Sequence, residues 1–250
     1  MSTFAEVRKA AWDTETTGPN PTEDRIVTAA FIVRTPAGDN ISFSWLINPG
    51  VPIPAEATAV HGIDDAKVQA EGADPRTALG EIAVYVANAI EQGMPLIAFN
   101  QSFDWSILHY DLLRNGLPTV YDRVGSAVLP LVDPIVIDKQ MDPYVKGSGM
   151  RKLKPTAERY GVELTDWHTA EADALAALLI AEAQFAKWPQ LGADGPHKLF
   201  ADQQRWRASH QAGLQDWFRT KATPEQGGDP NKVIDGSWPL IPAPRAGGDA

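Results

Sequence analysis

The chain has 250 residues, no cysteine and a formal net charge of −10 at pH 7, with 44% hydrophobic and 22% charged residues. That length allows one large domain, or one domain with an extension, and ample material for a buried core. The absent cysteines exclude disulfides, thiol nucleophiles and Cys-ligated zinc or iron–sulfur centres, and the acidic balance argues against a protein that coats nucleic acid through a broad basic face.

In chain order, residues 7–13 read as an apolar strand ending in a Thr/Gly/Pro turn. Residues 25–35 are rich in Ile, Val, Phe and Thr, and residues 41–47 alternate apolar with polar side chains. The Pro36-Ala37-Gly38-Asp39 turn separates the last two runs, so the three predict an antiparallel meander. Leu79, Ile82, Ala83, Val86 and Ile90 stand at helical spacing and predict a helix over 75–91, with Gly93 just past its end. The apolar run 96–100 predicts a buried strand, and Ser102 is placed to cap a helix over 103–115 that Gly116 stops. Residues 134–138 predict another strand, 153–160 a helix stopped by Gly161, and 169–187 a long helix apolar on nearly every face. Antiparallel strands followed by strands alternating with helices predict an α/β protein with a mixed sheet and helices on its faces.

Beyond Pro189 the character changes. Residues 201–221 predict a helix carrying Arg205, Arg207, Arg219 and Lys221. Residues 222–250 are crowded with proline and glycine yet keep Val233, Ile234, Trp238, Leu240 and Ile241. A disordered tail rarely holds such an apolar cluster, so residues 233–242 are expected to lie extended against the body. The expected organisation is a domain over 1–190 with a C-terminal extension over 191–250. No run of 18 apolar residues occurs and the N-terminus lacks the apolar core of a signal peptide, which predicts a cytoplasmic protein that does not enter the membrane.

Three places hold acids where packing alone would not put them. Asp13 and Glu15 stand at i and i+2 of a strand end, so both carboxylates project to one face and repel unless a cation sits between them. Asp104 falls in the first turn of a helix, and Asp173 enters an otherwise apolar one, where a buried carboxylate needs a partner. Each has an ordinary reading when taken alone: a solvated strand end for Asp13 and Glu15, the helix dipole for Asp104, a cap or surface position for neighbouring His168.

Taken together the segments form a pattern. Asp13-Thr14-Glu15-Thr16-Thr17-Gly18, Asn100-Gln101-Ser102-Phe103-Asp104 and His168-Thr169-Ala170-Glu171-Ala172-Asp173 resemble, in order, the three motifs of the DnaQ-like (DEDDh) 3′–5′ exonucleases, which include proofreading epsilon-type domains. Val60-His61-Gly62-Ile63 resembles that family's loop between the first two motifs, and the resemblance covers residues 7–188. It implies a ribonuclease H-like fold and metal-dependent hydrolysis of DNA from a single-stranded 3′ end to nucleoside 5′-monophosphates, in replication proofreading or repair. It assigns two Mg²⁺ (or Mn²⁺) ions to Asp13, Glu15, Asp104 and Asp173, and the general base to His168, whose ordinary pKa of about 6.5 suits that task. It also places Thr16, Gly18, His61 and Phe103 around the terminal nucleotide.

Three tryptophans neighbour these residues. Strand alternation turns Trp12 into the core, Trp105 reads as packing under its helix, and Trp167 either stacks on a base or anchors its loop. Between residues 139 and 159, six basic side chains (Lys139, Lys146, Arg151, Lys152, Lys154, Arg159) face two acids, which makes either a guide for the incoming strand or a solvated loop. Two other readings stand beside the DNA exonuclease: an exoribonuclease on the same chemistry, and a non-catalytic adaptor that binds a polymerase or clamp through the extension. Gln215-Asp216-Trp217-Phe218 faintly resembles a sliding-clamp peptide.

Overall fold

The computed structural model describes residues 3–127, 129–163 and 169–244. Strands β1 (Lys9–Thr16), β2 (Ile26–Arg34) and β3 (Asn40–Leu46) form the antiparallel meander that their alternation predicts. β4 (Leu96–Ile97) pairs parallel to β1, and β5 (Leu131–Val132) parallel to β4. The described residues thus build a mixed sheet in the order β3-β2-β1-β4-β5, flanked by helices as expected.

Period-two alternation in β1 divides the molecule into two layers. Ala10 and Trp12 point to one side, where with Phe31 and Leu96 they meet helices α3 (Pro75–Glu91) and α4 (Gln101–Arg114). Ala11 points to the other, where with Ile32 and Ile97 it meets α8 (Ala170–Lys187). Alanines Ala174, Ala177 and Ala181 let α8 lie close against the sheet, and this small-residue face is why the helix reads as apolar all round. α3 spans the predicted residues, capped by Asp74, whose side chain accepts from Thr77 N at 3.0 Å.

Elsewhere local chemistry overrides the pattern. The expected strand over 134–138 is instead helix α6 (Pro134–Met141), and the strand is β5 just before it. Ile135, Val136 and Ile137 have strand composition, but Asp133 caps a helix by accepting from Ile135 N at 3.1 Å and Pro134 presets its first turn. β4 is shorter than the apolar run suggested, because Asn100 turns into the left-handed region at φ 66° and starts α4. Asn100 therefore holds the cap position assigned above to Ser102, and Ser102 lies inside the first turn. Short helices α1 (Ala55–His61), α2 (Asp65–Glu71) and α5 (Val120–Val124) were not foreseen, since one or two turns leave no readable period. α7 (Leu153–Arg159) ends, as expected, before Gly161 at φ 69°.

α9 (Gly195–Thr220) starts six residues before the predicted helix, with proline in its first turn. The chain after it turns back over the body. Trp238 is buried, Ile241 N donates to Ser106 Oγ at 2.8 Å, and Ile241 O accepts from Tyr110 Oη at 2.9 Å. Gln215 accepts from Ile234 N at 2.9 Å, and the Lys232 ammonium lies 5.6 Å from the Phe218 ring centre, so two residues of the clamp-like tetrapeptide are engaged by this chain's own tail. Among the described residues no helix is long and apolar enough to cross a membrane.

Candidate active site

β1 delivers its acids to one end of the sheet. Asp13 and Glu15 share the Ala11 side and look toward α8, while Thr14 looks toward α4. α8 begins with Thr169, whose hydroxyl accepts from Ala172 N at 3.2 Å, and this cap sets Asp173 in the first turn. Carboxylate oxygens of Asp13, Glu15 and Asp173 all lie within 4.8 Å of one another.

Asp104 arrives from the opposite layer. It is 3% exposed, and its Oδ1 accepts from Thr14 N at 3.0 Å and Thr14 Oγ1 at 2.8 Å. Thr14 thus ties the first turn of α4 to the strand between Asp13 and Glu15. No role for Thr14 is read from the sequence; its signal is a hydroxyl between two acids, pointing to the other face.

The electrostatics are those of crowded, partly desolvated carboxylates. Burial, and then the charges of Asp104, Asp173 and Glu15, hold Asp13 well above the usual carboxylate range. Burial first, then Asp173 and Asp104, push Glu15 up to about 7. Burial pushes Asp104 to about 7 against the hydrogen bonds from Thr14. Among the described residues no Lys or Arg pairs with Asp13, Glu15 or Asp104. The donor set is all oxygen, which suits a hard divalent cation.

A cavity of about 500 Å³ opens beside the acids, lined by Glu15, His61, Ile63 and Thr169 among others. His61 Nδ1 accepts from Ile63 N at 3.2 Å, which fixes the ring, and burial lowers its pKa. Thr16 Oγ1 donates to Gly18 O at 2.7 Å. Gly18 has a packing reason of its own: a Cβ there would sit 2.6 Å from Asp24 Oδ2, and that carboxylate closes the loop by accepting from Asn20 N and Thr17 Oγ1. Phe103 packs, half-buried, on the α3–α4 core. Trp12 is buried, and so is Trp105, whose Nε1 donates to Tyr121 Oη at 3.0 Å, so both belong to the core. Trp167 and His168 lie outside the described residues.

Two of the six basic residues between 139 and 159 have a structural task. Asp138 is fully buried; Arg151 and Arg159 converge on its Oδ2, and Tyr160 Oη donates to Oδ1 at 2.8 Å.

Residues 11–181 match the exonuclease family model of the RNase T type. The chain belongs to the DnaQ-like 3′–5′ exonuclease family. Within that family, a DNA polymerase III subunit epsilon-like protein of Rhodobacter capsulatus is 31% identical over 189 residues, covering 74% of this chain and 24% of the relative. A PolC-type DNA polymerase III of Streptococcus thermophilus is 28% identical over 170 residues, covering 68% of this chain and 10% of the relative. The exonuclease chain thus spans between a tenth and a quarter of the length of these relatives. Its fold is that of E. coli Exonuclease I solved with a dA16 oligonucleotide (TM-score 0.61, 17% identity, 74% of this chain and 42% of that one). Exonuclease I from Methylocaldum szegediense matches similarly (TM-score 0.58, 21% identity, 74% of this chain and 41% of that one). The sheet and its helices are accordingly the ribonuclease H-like arrangement, and the chain is a hydrolase of the nuclease class.

Proposed function

We propose that this exonuclease removes nucleoside 5′-monophosphates one at a time from the 3′ end of single-stranded DNA, in proofreading or repair. The observation that carries the reading is the group of like-charged carboxylates, Asp13, Glu15 and Asp173 within 4.8 Å with Asp104 held behind them by Thr14, where among the described residues no Lys or Arg pairs with Asp13, Glu15 or Asp104. These four acids would hold two divalent ions of the Mg²⁺ or Mn²⁺ type. When bound, such ions supply an activated water and charge stabilisation at the leaving oxygen.

The chain's own groups do the rest. Asp13, which feels the charges of Asp104, Asp173 and Glu15, would be the shared ligand. Thr14 keeps Asp104 oriented, and the Thr169 cap keeps Asp173 in place. His168, by its place in the third motif, takes the proton from the attacking water. His61, Phe103 and the backbone around Thr16–Gly18 receive the terminal sugar and base. Residues 191–250 form an extension of this domain and are where a polymerase or clamp partner would attach.

A time course on 5′-labelled single-stranded DNA, duplex DNA and RNA, with Mg²⁺ or Mn²⁺ and with Asp13→Ala as control, tests the reading. The expected result is a ladder shortening from the 3′ end of single-stranded DNA, absent with EDTA and with the variant. Turnover that survives EDTA, or shortening from the 5′ end, overturns it. Faster cleavage of RNA would move the enzyme to the exoribonucleases.

A further inference from the structure

α9 lies along the β5 edge of the sheet. Gln203 fixes it there: its Oε1 accepts from Asp133 N at 2.7 Å and its Nε2 donates to Leu131 O at 2.8 Å. Arg207 and His210 follow at i+4 and i+7 from Gln203, hence on the same side of the helix. That side packs against α6, which carries Lys139.

All three side chains are half-buried. Arg207 Nε and His210 Nδ1 are shut off from solvent without a hydrogen-bond partner. Among the described residues neither Lys139 nor Arg207 forms an ion pair. His210 feels Lys139, Arg151 and Arg207, all cations. Nearby carboxylates are engaged or distant. Asp138 holds Arg151 and Arg159, and Asp133 accepts from Asn100 N and Ile135 N through Oδ1 and from Trp238 Nε1 through Oδ2. Asp133 and Asp235 attract Arg207, yet neither comes within ion-pair distance. A buried guanidinium nitrogen left in this state, beside a lysine and an imidazole, calls for an anion.

The position says which anion. Asp133 bonds to the backbone of Asn100, the cap of the helix that carries Asp104, and its charge is felt by both Asp104 and Arg207. β5 stands two strands from β1, about 10 Å, a distance that a strand held by its 3′ end spans within its last few nucleotides. We infer that Lys139, Arg207 and His210 form a seat for a backbone phosphate of the substrate strand, a few nucleotides back from the 3′ end. Two of its three groups come from the C-terminal extension. The guanidinium and ammonium supply charge and directed N–H donors, and the imidazole one further donor. Such a seat grips DNA without reading bases, as an end-trimming enzyme requires. This inference rests on the exonuclease reading above.

The test uses the full chain and compares kcat and KM on a 12-nucleotide DNA strand with those on a mononucleotide nitrophenyl ester, which is too short to reach the seat. Lys139→Gln/Arg207→Gln is expected to raise KM on the strand by about tenfold, with a much smaller effect on kcat, and to flatten the dependence of log(1/KM) on log salt by about 0.7 for the one lost phosphate contact. Arg207→Lys should recover much of the loss. If the double variant does not fold, His210→Gln carries the same comparison, with a smaller rise in KM. Unchanged KM and salt slope in a folded variant overturns the seat, as does an equal loss on strand and ester, which marks a merely structural role. A loss that appears only as weaker inhibition by inorganic phosphate, independent of strand length, would assign the site to free phosphate and likewise overturn it. Wild-type enzyme that cleaves neither substrate with Mn²⁺ removes the exonuclease reading and this inference together.

Discussion

Two groups of carboxylates in this exonuclease, withdrawn from solvent in whole or in part, have opposite surroundings. Asp138, on α6, is sealed from solvent with two guanidinium groups and a tyrosine hydroxyl around it. Asp111, on α4, is likewise matched by Arg114 at 2.8 Å, Arg25 at 3.8 Å and the N–H of Ile26 at 2.8 Å. Asp13, Glu15 and Asp104 are held toward the protonated form instead, all three by burial first, then Asp13 and Glu15 by the neighbouring site acids and Asp104 by Asp133. Burial of an acid by itself therefore says little about function. What distinguishes the site is that, among the described residues, no Lys or Arg pairs with Asp13, Glu15 or Asp104, a cost that a folded chain keeps only where something else supplies the positive charge.

The contrast can be broken most sharply at Asp13. Asp13→Ala should lower divalent-dependent exonuclease turnover by roughly 10³-fold or more while leaving thermal stability unchanged or raised by up to about 1 kcal/mol, because a repelling charge is removed. Calorimetry and a rate assay on the same preparation check both halves; a large loss of stability would place Asp13 with the structural acids. Asp138→Ala should do the reverse, costing about 3 kcal/mol and lowering the melting midpoint by roughly 6–12 °C as two arginines lose their partner. A variant as stable as wild type would dissolve the distinction.

Finer tests act within the site. Thr14→Val removes the 2.8 Å hydroxyl bond to Asp104 but keeps the backbone one, and should lower kcat about tenfold, with Thr14→Ser close to wild type. The smallest effect concerns pH. Glu15 titrates near 7 in the metal-free fold against an ordinary value of 4.5, so its stabilising share is full below about pH 4.5 and is lost as pH rises through 7. Metal-free wild type should thus lose stability relative to Glu15→Gln between pH 5 and 8, on the order of 1 kcal/mol once solvent screening at this partly exposed group is allowed for. Mg²⁺ should raise the wild-type melting midpoint more at pH 8 than at pH 5.5, since binding must displace fewer protons at the higher pH. Equal shifts at both pH values would separate the raised carboxylates from metal binding.

Features written in local chemistry were legible before the structure. The meander follows from alternation, α3 from its spacing and its Asp74-Pro75 start, and the facing pair Asp13 and Glu15 from strand period. That Asp104 and Asp173 belong with them came from motif order, since 68 residues lie between those two acids and only folding joins them. The error at 134–138 has a definite cause: three β-branched residues suggested a strand, and a two-residue cap, Asp133-Pro134, decided for a helix. Asn100 concealed its role because a left-handed cap has the same letters as any polar turn. Arg207 and His210 gave no local signal at all. Their surroundings are created by Gln203, whose partners on β5 lie about 70 residues earlier in the chain.

That glutamine has a consequence beyond positioning. β5 is the last strand on its side of the sheet, and its outward backbone groups are what an edge offers to a stray strand from another molecule. Gln203 presents a carboxamide to them in the manner of a neighbouring peptide unit, accepting from Asp133 N and donating to Leu131 O. It acts as a blank, one amide long, in the place of a sixth strand. A chain ending at residue 190 would keep Asp13, Glu15, Asp104, His168 and Asp173 and still leave this edge open. It should therefore self-associate at concentrations where the full chain stays monodisperse by light scattering, so that colloidal behaviour and chemistry are guarded by different ends of the same polypeptide.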